Sequence, residues 1–450
     1  MKSKFISLVL LIIFLVASIS VARAQEVEFT PRKAQLDIPL VEVPFNFSHG
    51  FQFPSMRQSL LLSNDYYFFF HKTLEDGFGA NNKILGKLTI AVFDIMSGWL
   101  PLGDSWLHEE WHRAVMTNHK IGSYNDVYNL PVFSSAIAVS HVRDEDLIRL
   151  KQESPADMVR LQSAGIEALI QQNIFIEKEH FFNNVNTFEQ VLLWSNILSN
   201  TFYINLCGSS EANSVTDTHN NNDGANIPRR DFAGLDCTGW TYDLHRPLEP
   251  YAARGVHASG NGINRYRKFS DLRAGEQSYL KMQSSLTLFN FLDPFLLGYE
   301  SFYAEVPLTK EGIKWNVNTK HFLTSFGHVI DLNIFLRSYE RSCLVTWHHY
   351  FNGVAYFPGV QVEIVRQALE FDGKTFYFSP AFGGWFQPEG QRFHNSTGKP
   401  GGFFGLRTDY PLSETFETYV EFEQKSEGWV AGEVDLEPSF TSILGFTIEL

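Results

Sequence analysis

Apolar and polar positions follow two different periods along this chain, and the change falls near residue 295. Before it, apolar residues recur every three to four positions in Ile84 to Met96, Asp104 to Met116, Ala156 to Phe182, Phe188 to Leu206 and Glu276 to Phe291. That spacing predicts helices with one buried face. After it, Ile330, Leu332, Ile334 and Leu336 alternate with Asp331, Asn333, Phe335 and Arg337, and Phe416, Thr418, Val420 and Phe422 alternate with Glu417, Tyr419, Glu421 and Glu423. Leu444, Phe446, Ile448 and Leu450 carry the same period to the last residue. Period two predicts antiparallel strands, roughly eight between Tyr299 and Leu450, divided by turn signals such as Asn352-Gly353, Asp372-Gly373 and Glu389-Gly390. The expected fold class is therefore α+β, with a mainly helical part over residues 25–295 and an antiparallel β-barrel over 296–450. A soluble β-sandwich or closed barrel with one hydrated face has the same period.

Composition adds an aromatic excess: 15% of residues are aromatic and 41 are Phe. Alternating strands that run to the C-terminus, rich in Phe, Tyr and Trp, resemble an outer-membrane β-barrel, with apolar residues outside, polar residues inside and aromatic belts at the interfaces. Lys2 and Lys4, an apolar run from Phe5 to Ala17 and Ala22-Arg23-Ala24 before Gln25 read as a secretory signal peptide over residues 1–24. The expected location is the outer membrane, with periplasm or secretion as alternatives, and outer-membrane lipid is an expected partner. Leu88 to Leu102 and Val191 to Leu206 are apolar but interrupted by Asp94 and by Ser195, Asn196, Ser199 and Asn200, so they read as core helices rather than bilayer spans. A net charge of -14 and the lack of clustered Lys and Arg in the sequence argue against a nucleic-acid partner.

Chemistry enters at His108-Glu109-Glu110-Trp111-His112. On a helix, residues four apart share a face, so two imidazoles reach one ion while Glu109 lies beside them to take a proton from water. The stretch resembles the active-site helix of the zincin metallopeptidases, and the resemblance implies bound zinc, His108 and His112 as ligands and Glu109 as the catalytic base. Charged Glu110 and Arg113 depart from that pattern, and a surface helix of solvated ion pairs is the competing reading.

A catalytic zinc needs a third protein ligand and an open position. The metzincins place a His six residues after the second, where this chain has Asn118; the gluzincins take a Glu from a second helix, and Ser163-Ala164-Gly165-Ile166-Glu167-Ala168-Leu169 looks like such a place. Small residues let two helices approach closely, so Glu167 is the expected third ligand, ahead of Glu177, Glu179 and His180.

Three cysteines form no metal pair, but Cys207 and Cys237 flank the polar stretch Gly208 to Asp236, and either a disulfide or two free thiols fits the spacing. No G-x-S-x-G elbow or phosphate-binding loop is present. The expectation is an exported zinc metallopeptidase acting on polypeptides. The alternative is a non-enzymatic outer-membrane barrel, structural or transporting, whose helical part plugs or supports it.

Overall fold

The computed structural model describes residues 35–450 apart from 80–81, 132–136, 184, 186, 224–225, 306–311 and 339–340. The expected signal peptide lies outside the described residues. Mixed helix and sheet are present, and the sheet is large and antiparallel.

Strand β1 (Gln35–Val43) is followed by helices α1 (Phe45–His49), α2 (Met56–Leu74), α3 (Lys83–Ser97) and α4 (Asp104–Asn118). The short strands β2 (Tyr124–Asn125) and β3 (Val139–Ser140) pair with each other before α5 (Asp144–Glu153), α6 (Pro155–Asn183), α7 (Gln190–Cys207), α8 (Glu211–Asp223), α9 (Asp236–His245) and α10 (Ala274–Leu286). Ser55 caps α2 through a reciprocal box with Gln58, and Asn82 caps α3 by accepting from two backbone N–H groups. No helix among the described residues is long and apolar enough to cross a membrane.

The polar stretch Gly208 to Asp236 contains α8. Ala212, Val215 and Thr216 fall three to four apart and dock that helix on the core, which its polar composition concealed. Cys207 and Cys237 are buried free thiols in hydrogen-bonding contact with each other.

The remaining strands are β4 (Phe302–Glu305), β5 (Gly312–Leu323), β6 (His328–Arg337), β7 (Ser342–Phe351), β8 (Tyr356–Val365), β9 (Gln367–Phe371), β10 (Lys374–Pro388), β11 (Gly398–Pro411), β12 (Phe416–Lys425) and β13 (Ser439–Glu449). Neighbours run β1-β13-β12-β11-β10-β8-β7-β6-β5-β4, with β9 folded back on β10. Two features differ from the expected eight-strand closed barrel. The N-terminal β1 adds itself to the C-terminal strand, and β1 and β4 are left as unpaired edges among the described residues. Helices bridge the gap: α2 packs on β1 and α3, α3 on α7, α7 on the 3-10 turn Thr287–Phe291, and that turn on β5.

Parts of the sheet carry an inverted pleat, with polar residues inward and aliphatic ones outward, beside inward apolar residues such as Val329, Phe335 and Ile443. Along β6, Asp331, Asn333 and Phe335 are buried while Ile330, Leu332, Ile334 and Leu336 are half-exposed. Along β13, Thr441 and Thr447 are buried and Phe440 and Leu444 exposed. Helix α6 fills the concave side and answers these inward polar groups. Glu177 pairs with Lys320 and accepts from Asn318 at 2.7 Å, Lys178 pairs with Glu363 at 2.7 Å, and Ile170 packs among Phe322, Tyr350, Trp385 and Trp429.

Candidate metal centre

The H-E-x-x-H stretch lies in α4, where the structure makes Gly103 the N-cap and Asp104 the first helical residue. Leu107, Trp111, Ala114, Val115 and Met116 form the apolar stripe that buries this helix in the core. Glu110 and Arg113, the two departures from the zincin pattern, are spent on each other: Arg113 Nη1 donates to Glu110 Oε2 at 2.8 Å, and Asn125 Nδ2 donates to Glu110 Oε1 at 2.9 Å. They are a buried pair rather than a solvated one.

Helix α6 crosses α4 at the two histidines, and Gly165 is the point of contact. A Cβ placed there would lie 2.4 Å from His112 Nε2 and 2.5 Å from His108 Nε2, so only glycine fits. Close approach through small residues was the expectation, and it is met at Gly165.

Glu167 is not brought to the imidazoles. It is fully buried two residues further along, its carboxylate held by Arg160, including a 3.0 Å bond from Nη2 to Oε1, and by the Gly432 N–H at 2.8 Å. Glu177 and Glu179 are likewise occupied, by Lys320 and by Asn183, and His180 pairs with Glu189.

The third donor beside the histidines is Asp236, the first residue of α9. Its Oδ2 lies 3.2 Å from His108 Nε2 and 3.4 Å from His112 Nε2, and the two Nε2 atoms are 3.2 Å apart. Tetrahedral zinc with ligand bonds of about 2.0–2.1 Å has ligand-to-ligand edges of about 3.3–3.4 Å. The three measured edges match that triangle. His112 Nδ1 lies 2.6 Å from the Leu161 carbonyl, which can only accept, so Nδ1 carries a proton, and Nε2, directed toward Asp236 and His108, is the atom that would bind an ion once it gives up its own proton. His108, Glu109 and His112 offer ligand atoms within 4.8 Å of one another.

Electrostatics at the cluster favour a cation. Burial alone would raise Asp236, but His112 and His108 overcome it and hold its carboxyl well below the usual range. Burial opposes charge on His112, yet Asp236 raises it; His108 is lowered, by burial and by His112's charge. Glu109 is 7% exposed and is pushed well up by burial and by the charges of Asp231 and Asp236. Asp231 is pushed up to about 8 by burial and then by Asp236. No described residue gives Glu109 a hydrogen bond or an ion pair, and its carboxyl faces the adjoining cavity.

These groups open on a cavity of about 690 Å³ lined also by Ile166, Leu169 and Tyr203. Tyr203, which the sequence reading missed, accepts the Asp236 backbone N–H at 2.9 Å, and burial and then Asp236's charge raise its phenol well above 10, so it stays a proton donor. Compared with known proteins, the chain matches no family model, no curated sequence and no solved structure.

Proposed function

We propose that this chain is an exported, outer-membrane-associated zinc hydrolase that cleaves peptide bonds. The observation that carries the reading is the triangle of His108, His112 and Asp236, with edges that suit a tetrahedral ion and with the unpartnered Glu109 beside it. In this reading Asp236 replaces Glu167 as the third ligand. Bound zinc would supply polarisation of the scissile carbonyl and acidification of a water molecule. Glu109 accepts the proton of the attacking water and returns it to the departing amine, so water adds across the amide without net proton change. Tyr203 donates to the oxygen on which charge develops. Gly165 keeps the imidazoles in place by leaving them room.

The membrane part of the proposal rests on the inverted pleat and on the continuity of the apolar surface. Exposed Phe404, Phe422 and Leu444 cover the outer face of the sheet, and exposed Phe69 on α2 and Leu288 on the 3-10 turn continue it onto the elements that pack against β1 and β5. The sheet, α2 and the 3-10 turn together then present one apolar face toward lipid. A non-enzymatic barrel with a helical plug is favoured by a separate observation, the filling of the concave side by α6.

Elemental analysis of protein purified without chelators separates the two. The hydrolase has about one zinc per chain, loses it in His112→Ala and Asp236→Ala, and keeps it in Glu109→Gln, which cleaves no peptide. Absence of zinc from the wild type leaves the plugged barrel.

A further inference from the structure

We infer that the cavity beside the histidines takes a basic, amphipathic polypeptide, held by its cationic side chains inside and by its apolar face on the rim. The inference rests on the hydrolase reading for the site's chemistry, and concerns which polypeptide enters it.

The lining carries six carboxylates, Asp94, Asp104, Glu109, Asp126, Asp231 and Asp236, against a single Lys or Arg among the described residues, the exposed Arg229. Asp94 is matched by His71 at 2.6 Å, Asp126 accepts from Ser140 at 2.8 Å, and Asp236 belongs to the metal cluster. Among the described residues, Asp104 and Asp231 receive only local hydrogen bonds, from Ser105 and from the Phe232 and Gly234 N–H groups, and neither forms an ion pair with Lys or Arg. Beside them Glu109, more than nine-tenths buried, faces the same cavity unpartnered. An anionic headgroup or an acidic peptide finds no Lys or Arg in the described lining beyond Arg229, whereas a lysine or arginine finds several carboxyls that no such side chain has taken.

The rim has the opposite character. Ile95 on α3 lines the cavity and is 60% exposed; Leu88, Val92 and Ile84 continue outward from it at helical spacing, at 59%, 61% and 72%. On the facing helix α7, which contributes Tyr203 and Leu206 to the lining, Phe202 is 67% exposed. A segment with one apolar and one basic face matches both surfaces at once. A basic peptide without the apolar face matches only the interior, and an apolar one without charge matches only the rim.

The test uses full-length protein in zwitterionic detergent and three labelled peptides of equal length: basic amphipathic, the same with every Lys replaced by Glu, and a basic scramble without an apolar face. Binding is read by fluorescence anisotropy on the wild type with all-D versions of the peptides, which resist cleavage, and cleavage by mass spectrometry on the wild type with the L-peptides. The basic amphipathic peptide is expected to bind about tenfold or more tightly than the other two, the margin over the acidic one shrinking at high salt. The near-isosteric double change Asp104→Asn, Asp231→Asn should reduce that margin to within about threefold, and Ile95→Ser should reduce the margin over the scramble, while Glu153→Gln on the exposed surface changes neither. Equal binding of the acidic peptide, or a margin that survives the double change in a variant with a wild-type melting curve, overturns the inference. The two readings fail separately: cleavage without charge preference keeps the hydrolase and removes this inference, and selective binding without cleavage or zinc keeps the inference and removes the hydrolase.

Discussion

Helix α4 and strand β6 both bury apolar and charged residues together but leave opposite kinds outside: Asp104, Ser105, His108 and Asn118 on α4, aliphatic side chains on β6. In α4 the helix turns Leu107, Trp111, Val115 and Met116 inward, as any water-soluble core does. In β6 the strand turns Asp331 and Asn333 inward and leaves Ile330, Leu332, Ile334 and Leu336 outside. The difference teaches that burial alone does not identify the solvent; the chemistry of the outward face does. Helix α6 serves both regimes, since Leu161 and Gly165 meet the histidines of the helical part while Glu177 and Lys178 answer the polar interior of the sheet.

The largest effect is expected where the helical part is tightest. Helix propensity alone would make Gly165→Ala stabilising by about 1 kcal/mol. The added carbon instead occupies the space between His108 and His112, so zinc content measured on the purified variant should fall to near zero with activity lost. Full metal loading in a folded Gly165→Ala protein would remove the assigned geometry. Next comes Glu167→Ala, which strands Arg160 in the interior and should cost about 3–5 kcal/mol in chemical unfolding while the folded fraction keeps its zinc. Zinc loss without such a cost would return Glu167 to the ligand set.

A smaller change probes the sheet. Leu332→Arg puts a charge on the outer face, and folding into lipid vesicles should weaken by about 2–4 kcal/mol if that face meets a bilayer, against little change if it meets water. A negligible effect in vesicles would make the two regions alike in their surroundings and end the contrast drawn from β6.

The two periods made the helical and strand regions legible, because side-chain direction repeats every 3.6 residues in one and every second residue in the other. The His108–His112 pair was legible for the same reason, and the small residues around Gly165 signalled the close helix crossing. Asp236 was not, because it reaches the site from α9, more than a hundred residues downstream, and a lone Asp after a polar loop carries no periodic mark. Glu167 misled because a buried carboxylate among small apolar residues needs a partner, and pattern reading could not tell Arg160 from a metal. The place of β1 beside β13 was hidden too, since nothing in a strand's own period names its neighbour.

The finest distinction between the two regions lies in pH. The helical part contains a buried chain in which His71 bonds Asp94 at 2.6 Å and reaches Glu189 at 3.4 Å, and Glu189 pairs with His180. Burial works against charge on both histidines, yet Asp94 and Glu189 raise His71 from 6.5 to about 9, and Glu189 chiefly raises His180 to about 10. A histidine raised in the folded state contributes stability that is complete below pH 6.5 and is lost as pH climbs through its folded value. Glu189, held low by His180, adds a contribution present above about pH 4.5 and lost only in acid. The inner face of the sheet is held by cations that keep their charge across this range: Arg407 with Asp37 at 2.6 Å, and Arg57 with Glu421 at 2.8 Å. Thermal unfolding followed by circular dichroism should therefore show the helical signal melting several degrees lower at pH 10 than at pH 6.5, the strand signal moving less, and His71→Gln flattening the dependence. Parallel shifts of both signals would mean that α6 couples the two regions into one cooperative unit, and an unchanged helical melt would mean that the chain from Asp94 to His180 carries no charge when folded.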